Sequence, residues 1–153
     1  MFSQVHTRNR LQCGVCGDAY DGPRAHEYGG RYATGLISKS FPPGTDQIQI
    51  TVRTMSQQLG SYEFRICSKD NIHGAVTQEC LDQNVLMVKD NTAVNSVFRP
   101  RYYVTPSIRN MPNHKITAKI PNGLTCKLCV LQWKFISGKK QQKSTCTFIY
   151  SYA

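Results

Sequence analysis

Apolar residues recur at every second position in several separate stretches, and that period is the strongest constraint this sequence places on its fold. Residues 46–54 put Ile48, Ile50 and Val52 on one side and Gln47, Gln49, Thr51 and Arg53 on the other, the mark of a strand buried on one face. Residues 61–67 repeat the pattern, with Tyr62, Phe64 and Ile66 against Glu63 and Arg65, and these two strands are expected to pair through 55–60. Residues 114–120, 129–135 and 146–152 alternate in the same way, 85–88 and 101–104 read as shorter strands, and 32–40 reads as a first strand released by Gly29-Gly30. No helical period of any length is visible. Many short alternating strands separated by Pro100, Pro106, Pro112 and Pro121 predict an all-β chain, an antiparallel sandwich of the immunoglobulin or fibronectin III kind with long loops.

At 153 residues the chain has the size of one domain, and no internal repeat or second domain is apparent. Its seven cysteines are many for a reducing compartment and ordinary for an oxidising one. Two Cys-x-x-Cys pairs, Cys13/Cys16 and Cys126/Cys129, raise the choice between a zinc site and a disulfide framework. Zinc ribbons commonly place their knuckles about 15 to 20 residues apart, whereas almost the whole domain separates these two, so disulfides are the better reading. Cys67 and Cys80 flank a polar loop of a length that one disulfide closes well, worth roughly 3 kcal/mol on the chain-entropy model. The odd count leaves one cysteine without an internal partner.

Nineteen Lys and Arg against nine Asp and Glu give a formal charge of +10, which draws a protein towards polyanions. The cations are scattered along the chain, as Arg99, Arg101, Arg109, Lys115, Lys119 and Lys127, and only 138–143 forms a dense run, read as a solvated loop. No nucleic-acid partner is expected. No segment approaches membrane-spanning length, and residues 1–10 hold no apolar run of the kind a signal peptide needs. There is no phosphate-binding loop, no Gly-x-Ser-x-Gly and no His-Glu-x-x-His. Nothing in the sequence places His6, His26, His73 or His114 beside a thiol, so cysteine nucleophilic catalysis is disfavoured.

A family resemblance rests on longer motifs. Residues 13–24 (CGVCGDAYDGPR), 29–35 (GGRYATG), 62–67 (YEFRIC), 78–82 (QECLD) and 123–134 (GLTCKLCVLQWK), in that order, resemble the chitin-binding type-4 domain of arthropod lytic polysaccharide monooxygenases. The resemblance implies a secreted, disulfide-bonded sandwich whose flat face lies on chitin or cellulose. It also implies one copper held by a brace of an N-terminal histidine, through its amine and ring, and a second histidine. Nitrogen ligands in a planar arrangement suit that metal. Bridges among Cys13, Cys16, Cys126, Cys129 and Cys146, besides Cys67–Cys80, follow from the same resemblance.

The sequence departs from the family at both brace positions. Residues 1–12 contain nothing like the family's segment before the first Cys pair, and His6 is not its brace histidine. Where the family has an Asn-His-Leu-Gly-like turn, this chain reads Ser56-Gln57-Gln58-Leu59-Gly60, so Gln58 stands at the second histidine. Phe148 matches the family's axial aromatic position and equally well a core residue of an alternating strand. The expectation is therefore a single domain over 1–153 lacking the family's N-terminal segment, extracellular and monomeric. It binds polysaccharide, chitin first, and carries no copper and no catalytic residues of its own. The alternatives are an active copper oxidase of chitin or cellulose whose brace histidine precedes this chain, and a basic or zinc-binding domain of other function.

Overall fold

The computed structural model describes residues 14–54, 59–70, 73–138 and 144–152, the last stretch by its backbone. Among the described residues, seven strands and one short helix follow in chain order: β1 (Gln47–Arg53), β2 (Gly60–Ser68), α1 (Gln78–Asp82), β3 (Met87–Asp90), β4 (Tyr102–Val104), β5 (Asn113–Lys119), β6 (Cys129–Ser137) and β7 (Ser144–Tyr152). They form two antiparallel sheets, one in the order β1-β5-β3 and the other in the order β4-β2-β6-β7. The expected disulfide-bearing β-sandwich is the architecture found.

Each sheet turns its apolar positions inward. Ile48 and Val52 of β1, Val88 of β3 and Ile116 and Ala118 of β5 meet Tyr62, Phe64, Ile66, Tyr102, Val104 and Leu131 from the other sheet. Burying a side chain such as Phe64 or Ile116, each under 2% exposed, contributes about 1.5–3 kcal/mol. The aromatic centre is Tyr62, stacked on Tyr102 with centroids 5.7 Å apart and edge-on to Trp133 at 5.5 Å. Burial pushes the Tyr62 hydroxyl up to about 12, so it is neutral at any physiological pH.

Three expectations need correction, and one buried residue needs a reason. β1 and β2 do not pair: β1 joins β5 from Gln47↔Lys119 to Arg53↔Asn113, while β2 joins β4 and β6. Two strands each buried on one face can meet side by side or across a core, and alternation alone does not distinguish the two. Residues 32–40 form no strand; Gly35 turns the chain with φ 70°, and Leu36 and Ile37 are exposed. A helix is present, five residues long and started by Thr77, whose hydroxyl accepts from Cys80 N, and it is too short to show a period. Finally, Gln132 lies on the outward side of β6 and is nevertheless buried, at 2% exposure.

Gln132 is buried because β2 and β6 carry a second layer on their outer face. Cys67, Val76, Leu81 and Val130 form a small core there with Val15 and Cys80, and the Cys67–Cys80 disulfide ties α1 to β2. Gln132 donates to Val15 O at 2.8 Å and exchanges amide hydrogen bonds with Gln78. These bonds satisfy an amide that burial would otherwise penalise. They also fasten the N-terminal loop to the sheet.

Candidate functional site

The loop of residues 14–36 is rigid for reasons visible residue by residue. Gly14 and Gly17 make a tight turn, with Gly14 N donating to Asp18 O at 2.8 Å and Gly17 N to Gly14 O at 3.0 Å. Asp18, 8% exposed, accepts from the His26 backbone N–H at 2.9 Å and meets His26 Nδ1 at 2.6 Å. Glu27 accepts from Val15 N at 3.0 Å and pairs with Arg24 at 3.5 Å. Gly30 packs so closely on the Arg24 and Ala25 carbonyls that a side chain would not fit. Two carboxylates thus close the loop on itself, and Gln132 closes it on the sheet.

What this loop presents is aromatic. Tyr20, Tyr28 and Tyr32 are 51%, 65% and 56% exposed, and each has a cation on its ring: Arg24 at 5.6 Å, Lys69 at 4.1 Å and Arg31 at 5.5 Å from the centroids. Cation–π contacts of this kind hold a ring in place for about 0.5–1 kcal/mol each. Tyr28 and Tyr32 line one open cleft of about 320 Å³, together with His26, Lys69, Thr34 and Leu128. His26 packs against Tyr32 at 5.0 Å. Rigid, half-exposed tyrosines suit the apolar faces of sugar rings, with the hydroxyl left for hydrogen bonding.

The thiols follow their own geometry. Besides Cys67–Cys80, the structure joins Cys126 to Cys129 within the Cys-x-x-Cys itself. Cys16 departs from the expected framework: it is buried with a free thiol, while Cys126 and Cys129 bond to each other. Burial, and after it Glu27 and Asp18, push that thiol up to about 12 against the smaller opposing effect of Arg24. A thiol so held is not a nucleophile at neutral pH. Cys13 lies outside the described residues, as does the side chain of Cys146.

The described histidines are held in three different settings. His26 is engaged by Asp18, His73 is exposed in the loop between β2 and α1, and His114 is sealed in the core at 1% exposure. Burial lowers the affinity of His114 for a proton, with Asp90 acting weakly the other way. Among the described residues no three His, Cys, Asp or Glu side chains gather as metal ligands, so they offer no zinc-type cluster of protein ligands. Gln58 and His6 lie outside the described residues. Phe148 stands on β7 where the register with β6 shifts, between Thr147↔Trp133 and Ile149↔Gln132.

Sequence reasoning missed the Asp18 clamp on His26, the Lys69–Tyr28 contact, and Asp70, which accepts from the backbone N–H groups of Lys127 and Leu128 at 2.8 Å each. Those two bonds lower the Asp70 carboxyl's affinity for a proton. Only Asp18 left a trace in the sequence, as a short carboxylate inside a glycine-rich turn. The other two partners are too far apart along the chain to be read locally.

Comparison with known proteins agrees with this architecture. No curated protein sequence matches the chain. Among solved structures, it is similar to "Lytic Polysaccharide Monooxygenase AA15 from Thermobia domestica in the Cu(I) State", with a TM-score of 0.68 and 25% identity over 93% of this chain and 77% of that one. The family described as "Lytic polysaccharide mono-oxygenase, cellulose-degrading" matches residues 2–147. With that match spanning nearly its whole length, on a two-sheet disulfide-bonded sandwich, the chain belongs to the lytic polysaccharide mono-oxygenase family.

Proposed function

We propose that this chain binds polysaccharide, chitin in the first place, as a monomer outside the cell, and that it does not itself oxidise the polymer with copper. The observation that carries the reading is the clamped loop with Tyr20, Tyr28 and Tyr32 held half-exposed beside cations. Membership of a polysaccharide-directed family supports it. Two disulfides support an oxidising, extracellular setting. Against copper chemistry stands Gln58 in the sequence position of the second brace histidine. An amide is a much poorer ligand than an imidazole for a metal that prefers nitrogen donors.

A second reading is favoured by the Cu(I) state named for the solved relative: oxidative cleavage, with a brace histidine contributed by chain preceding this one. It requires Gln58 to be replaced in function by another donor.

The test of binding is a depletion isotherm on insoluble chitin at moderate salt. The wild-type chain is expected to be retained, and Tyr28→Ala with Tyr32→Ala to weaken retention about tenfold, two stacked aromatics at about 0.5–1.5 kcal/mol each. Wild-type binding unchanged in that double variant would remove the loop from the account.

A further inference from the structure

The cations that look scattered in the sequence are gathered by strand register. On the outer face of the β1-β5-β3 sheet, Arg53 lies opposite Asn113, Thr51 opposite Lys115, Gln49 opposite Thr117 opposite Lys89, and Gln47 opposite Lys119 opposite Met87. Diagonal neighbours in such a sheet are about 7–8 Å apart. Arg53, Lys115, Lys89 and Lys119 therefore form one continuous zigzag across three strands. Arg53, Lys115 and Lys119 are exposed and Lys89 half-exposed, and among the described residues none of the four forms an ion pair.

No carboxylate shares this face. The sequence has no Asp or Glu after Asp90, so β5 carries none. Asp90 itself sits opposite Ile116 on the core side, where it accepts from Tyr102 and Thr92. Asp46 precedes β1 with the inward parity of Ile48. Between the cations runs a polar row: Gln49 donates to the Thr117 hydroxyl at 3.0 Å, and Thr117 donates on to Asn91 Oδ1 at 3.2 Å. Thr117 is itself buried at 1% exposure, so exposed Gln49, Asn91 and Thr51 supply the polar surface between the cations.

We propose that this face is a second glycan-binding surface, which takes an anionic polysaccharide, a chain bearing sulfate or carboxylate groups, along Arg53, Lys115, Lys89 and Lys119. Charge complementarity supplies the attraction, and the amides and hydroxyls between the cations match a polymer that carries neutral hydroxyls between its charged groups. A single-stranded nucleic acid fits less well: such partners need aromatic platforms for their bases. The strands put none on this face, and Phe98 beside it already carries the Lys89 ammonium at 4.9 Å. The tyrosine loop is fastened to the other sheet through Gln132, so the two surfaces are separate, and this one stands whether or not the chain binds chitin.

The experiment measures affinity for dextran sulfate over a salt series, with neutral dextran and single-stranded DNA of matched charge as comparison ligands. The triple variant Lys89→Gln, Lys115→Gln, Lys119→Gln is set against an equally neutralised control, Lys39→Gln, Arg109→Gln, Lys127→Gln. The sheet variant is expected to lose about tenfold or more in affinity and about three units of the salt slope, one for each cation removed; the control should lose less than about threefold. Chitin retention should be equal in the two variants. On the wild-type chain, dextran sulfate should protect Lys115 and Lys119 from acetylation and leave Lys39 and Lys127 reactive, a readout independent of how any variant folds. Equal loss in both triple variants, uniform protection of all lysines, or tighter binding of the DNA would overturn the proposal.

Discussion

His114 shows how one side chain can be fully legible as a residue type and illegible in its role. It occupies an inward position of an alternating strand, and its Nδ1 lies 3.3 Å from the Tyr102 hydroxyl, which donates to Asp90. Nδ1 must then carry the proton, leaving Nε2 as a buried acceptor that no described residue meets. Burial depresses its proton affinity, so the unfolded chain binds the proton more readily. The associated stability is fully present above the unfolded value of about 6.5 and is lost as pH falls below it. Urea midpoints should therefore fall from pH 7.5 to pH 5, and His114→Phe should flatten that part of the profile; an unchanged slope in the variant would place the titration elsewhere. Asp18 acts at the same scale. Removing its carboxylate in Asp18→Ala leaves the His26 N–H without its acceptor, at a cost of about 1–3 kcal/mol, and should weaken chitin retention with stability.

At the scale of elements, the strands of both sheets were legible because each buries one face, and period two records that directly. Pairing was not legible: β1 and β2 have the same pattern and sit in different sheets. Neither was α1, whose five residues hold a single buried one, Leu81. Its position depends on the bond from Cys80 to Cys67 and on the small outer core. Cys80→Ser should accordingly cost about 2–4 kcal/mol, read as a lower denaturant midpoint, and should expose Gln132 and Val15 to faster amide exchange. A loss under about 0.5 kcal/mol would mean that packing around Leu81 holds the helix without the bridge. The tyrosine loop was legible as a run of turns, but the carboxylates that order it act across eight to twelve residues, beyond what local turn chemistry reveals.

At the scale of the molecule, the family and the sandwich were both within reach of the sequence, since long motifs around Cys13, Tyr62 and Cys126 identify the first and alternation the second. The charge pattern was not. Arg53, Lys89, Lys115 and Lys119 come from three strands and become one surface only through register. The chain that results has an oxidative family's scaffold, an ordered aromatic loop on one sheet and a cationic face on the other. On the proposed reading, what separates it from a copper oxidase is the donor set, with Gln58 in the sequence position of a brace histidine. Copper titration by calorimetry, followed by a search for oxidised chitin oligosaccharides with ascorbate present, tests that difference most directly. The account predicts no tight one-to-one copper binding and no oxidised products, with Gln58→His alone restoring neither. Tight stoichiometric binding together with oxidised products from the unmodified chain would contradict it.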